Sequence, residues 1–159
     1  MTGVAFVFCR AEDAPLPFGY AGHLGWGFFL PDSEGFYCGS TENPSGAPDV
    51  LPSGDNGWWE ERVGSLAEML AAMQARDYDS YKFEGVADAH PEEAISMAKS
   101  MEARGYSVAA DSSLDHTREV LEAYGVKNLP STDEYPFPNS WFAIFDGELR
   151  GLDSAEHKL

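Results

Sequence analysis

Three apolar, strand-like segments precede the first helical signal in this chain. Residues 4–9 and 23–30 are dense in aromatic and β-branched residues, and residues 36–40 follow the second segment after a Pro-Asp turn. These patterns predict buried strands, of which the last two form a hairpin. Because no helix separates the three strands, the order favours an α+β fold with a mostly antiparallel sheet over a doubly wound parallel sheet.

The later sequence predicts helices and further strands in alternation. Ser65 and Glu68 match the S-x-x-E capping box that begins many helices. Pro91 suits the first turn of a second helix, and Gly125 follows a third. The three helices are predicted over residues 65–76, 91–104 and 112–124, and the remaining strands over residues 81–86, 106–110 and 140–145.

The length of 159 residues predicts one domain covering residues 1–159. Its 43% hydrophobic content and four tryptophans are typical of a packed core. Residues 41–57 contain three prolines and three glycines, which predicts a long surface loop. The chain is expected to end in a polar tail from about residue 151.

The charge is strongly acidic, with 27 Asp and Glu against 10 Lys and Arg, a formal net charge of −17. This balance excludes a generic nucleic-acid binder and disfavours docking on an anionic membrane. No Lys or Arg occurs between Arg10 and Arg62. Two interpretations stay open: the acidity serves solubility or a salt-rich habitat, or it forms a surface for a basic protein partner.

Two cysteines, Cys9 and Cys38, are too few for a disulfide scaffold, and no C-x-x-C pair indicates a zinc site. The sequence predicts neither a metal nor another cofactor. The apolar run over residues 4–9 is too short for a signal peptide or a membrane-spanning helix. We therefore expect a cytoplasmic protein with both thiols reduced.

Two segments carry residues suited to catalysis. His23 begins an apolar strand, where a histidine can act as a base at the edge of a site or can simply be hydrogen bonded at a strand end. Ser112 and Ser113 precede the third predicted helix. A helix start stabilises a thiolate or oxyanion, but serines are also ordinary N-cap residues there.

Together these segments resemble a known family. The pattern His-x-Gly-x-x-Phe from His23, followed by FYCGSTEN over residues 36–43, is similar to the histidine-first branch of papain-like hydrolases. That branch contains the circularly permuted NlpC-type peptidases, with lecithin retinol acyltransferase-like proteins as relatives. The resemblance covers residues 20–145 as a pattern of elements. It implies a papain-like fold with a catalytic histidine at His23 and a cysteine nucleophile at the helix start, where this chain has Ser113 or Ser112.

Further residues are candidates for the same site. Glu42 or Asn43 could orient His23, and Glu42 ranks first because the ends of hairpin strands lie together. Asn139 begins an Asn-Ser-Trp tripeptide that resembles one in papain-like proteases, although out of order. Trp58 and Trp59 are candidates for a partner-binding anchor or for a cover over the core.

The sequence thus leaves two functions open. The first is a pseudoenzyme: a catalytically silent papain-like module that binds a partner protein or small ligand in a vestigial active-site groove. A serine hydroxyl is far less acidic than a thiol, so replacement of the cysteine usually abolishes the chemistry. The second is an active amidase, peptidase or acyltransferase that uses Ser113 or Cys38 with His23.

Overall fold

An antiparallel six-stranded sheet forms the centre of the fold in the computed structural model, which describes residues 1–152. In chain order the elements are β1 (Gly3–Arg10), β2 (Pro15–Leu16), β3 (Gly19–Tyr20), β4 (His23–Leu30), β5 (Gly35–Thr41), β6 (Asp49–Val50), β7 (Trp58–Val63), α1 (Leu66–Gln74), β8 (Ser80–Val86), α2 (Pro91–Ser100), a 3₁₀ turn (Met101–Ala103), β9 (Tyr106–Ser107), α3 (Ser113–Tyr124), α4 (Pro138–Ile144) and β10 (Glu148–Gly151). The strand order in the sheet is β10-β8-β1-β4-β5-β7, and every neighbouring pair is antiparallel. The predicted α+β class with a mostly antiparallel sheet is therefore confirmed.

Helices cover both faces of the sheet. Along β1, Phe6 and Phe8 belong to the apolar cluster that contains the buried face of α1, whereas Val7 and Cys9 belong to the cluster that contains the buried faces of α2, α3 and α4. This division follows from the two-residue period of a strand, which sends successive side chains to opposite faces. The result is a three-layer arrangement with one helix on one side and three on the other.

Two glycines in β4 allow α1 to lie close to the sheet. A Cβ atom placed on Gly27 would lie 2.8 Å from Phe8 Cε2 and 3.0 Å from Met69 Sδ. One on Gly25 would lie 2.9 Å from Met73 Cε. The G-x-G spacing in this strand thus makes room for the two methionines on the buried face of α1.

Local signals explain where the predicted helices begin and end. Ser65 accepts a hydrogen bond from Glu68 N at 3.2 Å, as the capping box predicts. Ser112 caps α3, with Asp115 completing the box, and Gly125 ends that helix with a φ of 115°. The helix predicted over 91–104 is α2 followed by the 3₁₀ turn, so its last residues are wound more tightly than expected.

The strand predicted over residues 140–145 is wrong, because this segment lies largely within α4. Pro138 occupies the first turn, where its fixed φ suits a helix. Lys82 Nζ donates hydrogen bonds to the carbonyl oxygens of Phe142, Ala143 and Phe145 at the C-terminal end. A cation there satisfies carbonyls that have no partner within the helix. The structure therefore contains four α-helices within residues 1–152 rather than the three predicted.

Other expectations need smaller corrections. The strand predicted over 106–110 is only β9, which pairs with β6 inside the long loop predicted over 41–57. The sequence analysis missed the edge strands β7 and β10. Of the predicted polar tail, Gly151 belongs to β10 and Leu152 is buried, while residues 153–159 lie outside the described residues. None of the helices within residues 1–152 has the length and apolar character needed to cross a membrane.

Candidate functional site

His23 lies at the first position of β4 and is almost fully buried. It pairs with Arg10 across the sheet, and its ring centroid lies 6.2 Å from that of Tyr78. Its Nε2 atom lies 3.4 Å from Ser40 Oγ, and the Ser40 hydroxyl donates to Leu24 O at 2.9 Å. The imidazole is therefore enclosed where the ends of β1, β4 and β5 meet.

Glu42 follows β5 directly and accepts several hydrogen bonds. Its carboxylate accepts from Tyr78 Oη at 2.9 Å and from Trp59 Nε1 at 3.0 Å. It also accepts from Arg10 Nη2 at 3.2 Å, and its Oε2 lies 3.4 Å from His23 Nε2. The structure thus brings together His23 and Glu42, the pair that sequence reasoning placed at one hairpin end.

Arg10 and Asp13 complete this cluster. Arg10 donates two hydrogen bonds to the same oxygen of Asp13, Oδ2, from Nε at 3.1 Å and from Nη2 at 2.9 Å. Its Nη1 donates to Arg76 O at 2.8 Å. Asp13 Oδ2 in turn lies 3.8 Å from His23 Nδ1, so the imidazole has a carboxylate on each side.

Burial decides the protonation state of His23. Removal from water lowers its pKa to about 4, which outweighs the raising effect of the nearby Glu42 carboxylate. The positive charge of Arg10 acts in the same direction as burial. At neutral pH the imidazole is therefore uncharged and a weak base.

Ser113 is also buried, but its hydroxyl is hydrogen bonded to the backbone of β4 and not to the His23 ring. Its Oγ atom accepts a hydrogen bond from Leu24 N at 3.3 Å, and its own backbone N donates to Tyr106 Oη at 3.1 Å. Leu24 and His23 are consecutive in β4, so their side chains point to opposite faces of the sheet. Ser113 approaches from the α3 face, whereas His23 lies among groups on the α1 face. No hydrogen bond joins these two side chains within the described residues.

Two clefts meet at this cluster. One, of about 430 Å³, is lined by Asp13, His23 and Glu42 together with Tyr106 and Ser112, and by apolar residues described below. The other, of about 1000 Å³ and open to solvent, shares Asp13 and Glu42 with the first. We call the joined pair the acidic trough. His23 thus borders the smaller cleft, with about 5% of its surface exposed.

Three proposed binding residues have internal partners. Trp58 Nε1 donates to Ala98 O at 2.8 Å, and the Trp59 indole bonds to Glu42 and stacks under the Arg76 guanidinium at 3.8 Å. Asn139 joins three segments: Nδ2 donates to Ala11 O at 2.9 Å and Tyr20 O at 3.1 Å, while Oδ1 accepts from Cys9 Sγ at 3.4 Å. Asn139 and Trp59 thus hold segments around His23 and Glu42 in place, whereas Trp58 fastens β7 to α2 away from the two clefts.

The second possible nucleophile, Cys38, lies in the core beneath α1. Burial raises its pKa to about 12, and the Glu61 carboxylate adds to that effect. Cys9 is buried on the opposite face, where burial likewise raises its pKa to about 12. Neither thiol is poised to form the thiolate that nucleophilic attack requires.

Sequence reasoning found no pattern around His116, yet this residue forms a second buried polar cluster. Its Nδ1 atom lies 2.7 Å from Thr41 Oγ1, and its Nε2 lies 3.1 Å from Asp111 Oδ1. Arg104 binds Asp111 and Glu119 beside it. Thr41 and His116 have no exposed surface, so a substrate cannot reach them.

Sequence reasoning also missed Arg10, Asp13, Ser40 and Tyr78. The available signal for the first two was their three-residue spacing just before the long stretch without cations. Within residues 1–152, no three or more His, Cys, Asp or Glu residues are grouped so as to hold a metal ion. Comparison of the chain with family models, with curated proteins and with solved structures found no match.

Proposed function

We propose that this chain is a catalytically silent module of papain-like arrangement whose cleft beside His23 binds a partner. The observation that carries the proposal is the engagement of Ser113. Its hydroxyl accepts a hydrogen bond from Leu24 N, and its amide is used by Tyr106 Oη. A serine nucleophile needs a base that takes its proton and free N–H donors for the oxyanion.

The histidine supports the same conclusion. A general base works best when its pKa lies near the working pH, whereas burial lowers the pKa of His23 to about 4. Its Nε2 side is occupied by Ser40 and Glu42. The cluster is thus organised as a structural ion-pair network at the floor of a cleft.

The papain-like part of the proposal rests on the sequence resemblance. What bears on it in the fold is that the strand beginning with His23 and the helix beginning with Ser113 are neighbours, joined by the hydrogen bond from Leu24 N to Ser113 Oγ. The two side chains themselves form no hydrogen bond, which agrees with a silent module and not with a working pair.

Two measurements on the full chain test this function. The wild-type protein and the Ser113→Ala and His23→Ala variants are incubated with a fluorophosphonate probe, and intact mass is recorded. We expect no labelling that depends on His23. A single serine that is labelled in the wild type and lost in both variants would replace the proposal with an active hydrolase.

The binding part is tested by nuclear magnetic resonance with a library of small fragments. We expect amide shifts to concentrate around the cleft, at Gly22, Asn43 and Phe137, which line it. Shifts scattered over the surface, or confined to residues far from His23, would contradict binding in this cleft.

A further inference from the structure

We infer that the acidic trough receives a basic, apolar-flanked segment of a protein partner; this inference rests on the proposed function and names the class of its ligand. The first argument is charge. The carboxylates that line the trough are those of Glu12, Asp13, Glu42, Asp77 and Asp79, against the guanidiniums of Arg10 and Arg76. Arg10 is bound to Asp13 and Glu42, so the carboxylates of the trough that are left to attract a cation are those of Glu12, Asp77 and Asp79.

The second argument is the apolar surface beside these carboxylates. Leu16, Val108 and Phe137 line the smaller cleft together with three prolines. Val108 is 59% exposed and Phe137 is 46% exposed. Phe18, in the turn between β2 and β3 next to Leu16, is 85% exposed. Large apolar side chains that surround a polar floor are typical of interaction sites.

The dimensions favour a chain segment over a small amine. The two clefts have volumes of about 430 and 1000 Å³ and share Asp13 and Glu42, so their contacts extend beyond the reach of one small cation. An extended segment that alternates basic and apolar residues can fill both at once. The net charge of −17 would also accelerate its approach by electrostatic steering.

The test is a selection from a display library of random peptides against the immobilised full-length protein. We expect enriched peptides with Lys or Arg next to an aromatic or aliphatic residue. Two cleft variants test the two arguments. Val108→Ser with Phe137→Ser removes two apolar side chains that line the smaller cleft, and Glu12→Gln with Asp77→Asn removes two exposed carboxylates that line the larger one. Each should weaken binding of the enriched peptides about five- to tenfold, as expected when contact residues are lost from an interface.

Matched controls remove similar groups elsewhere. Leu51→Ser removes an apolar side chain that is 80% exposed, and Glu92→Gln with Glu93→Gln removes two exposed carboxylates from α2. These variants should bind the enriched peptides as the wild type does. High salt should weaken binding to the wild type more than binding to the Glu12→Gln, Asp77→Asn variant.

The outcomes separate this inference from the proposed function. Enriched peptides that lack basic residues but lose affinity in the Val108→Ser, Phe137→Ser variant would overturn the inference and leave a binding cleft. The inference would also be overturned if no enriched peptide bound the wild type more tightly than it bound both cleft variants. His23-dependent labelling by the fluorophosphonate probe would overturn the proposed function itself.

Discussion

Acidification should destabilise this protein through His23, in a pH range set by the burial of that ring. The unfolded histidine titrates at its ordinary pKa of about 6.5, whereas burial lowers the pKa in the folded state to about 4. Between these values the unfolded chain binds a proton that the folded chain does not. Stability is therefore fully present above pH ~6.5 and falls as pH decreases toward ~4.

The size of the effect follows from the same two values. The difference between the two pKa values, at about 1.4 kcal/mol for each pH unit, corresponds to roughly 3–4 kcal/mol over the whole range. Between pH ~7 and ~4.5 the expected loss from His23 is roughly 2–3 kcal/mol. His116 adds to it, because burial lowers its pKa as well. Glu84 acts in the opposite direction, since burial raises the pKa of its carboxyl.

Urea unfolding at the two pH values measures this loss in the wild type and in His23→Gln. The variant should lose roughly 2–3 kcal/mol less than the wild type on acidification, whatever its stability at neutral pH. The matched control is His90→Gln, which removes a histidine outside the buried cluster and should behave as the wild type does. Equal losses in the wild type and His23→Gln would refute the reasoning. So would a His23 ring resonance that titrates near pH ~6.5 in the folded protein.

Three further predictions follow from single contacts. Ser113→Cys should give a thiol that is alkylated slowly at neutral pH, and at the same rate in a His23→Ala background, because its side chain faces Leu24 N. Rapid alkylation that depends on His23 would show instead that the two side chains form a pair. Gly27→Ala should destabilise the fold by about 1–3 kcal/mol in urea unfolding, since its methyl group would overlap Phe8 and Met69, and an unchanged midpoint would contradict that packing. Asn139→Ala should reduce the free energy of unfolding by about 1–3 kcal/mol because it leaves the carbonyls of residues 11 and 20 without their donor, whereas the neighbouring exposed Ser140→Ala should have a smaller effect.

The sequence predicted the elements whose signals are local. The hairpin of β4 and β5 was found from its turn, and the capping box at Ser65 placed the start of α1. The segment of α4 was mistaken for a strand because Trp141, Phe142 and Phe145 give it the aromatic density of a buried strand. Its helical state depends on Pro138 and on the bonds from Lys82, which is distant in sequence.

Edge strands and the site depended on information that the sequence pattern lacks. In β7 two tryptophans are followed by two glutamates and an arginine. This edge strand therefore lacks the alternation of apolar and polar residues by which a strand is predicted from sequence. The pairing of His23 with Glu42 was predictable because both belong to one hairpin. The contribution of Tyr78 was not, since it reaches Glu42 only after the whole sheet has assembled.

The position of β1 within the sheet also affects how the chain is made. Within this chain β1 is synthesised first, yet it lies between β4 and β8, and about 70 residues separate its end from the start of β8. At a translation rate of about 5–20 residues per second, β1 waits roughly 4–14 seconds for its second neighbour. During that interval the apolar segment VAFVFC has one unpaired edge, which is a template for association between nascent chains. A chaperone that binds extended apolar segments on the ribosome would therefore act on this protein chiefly before residue 80 has emerged.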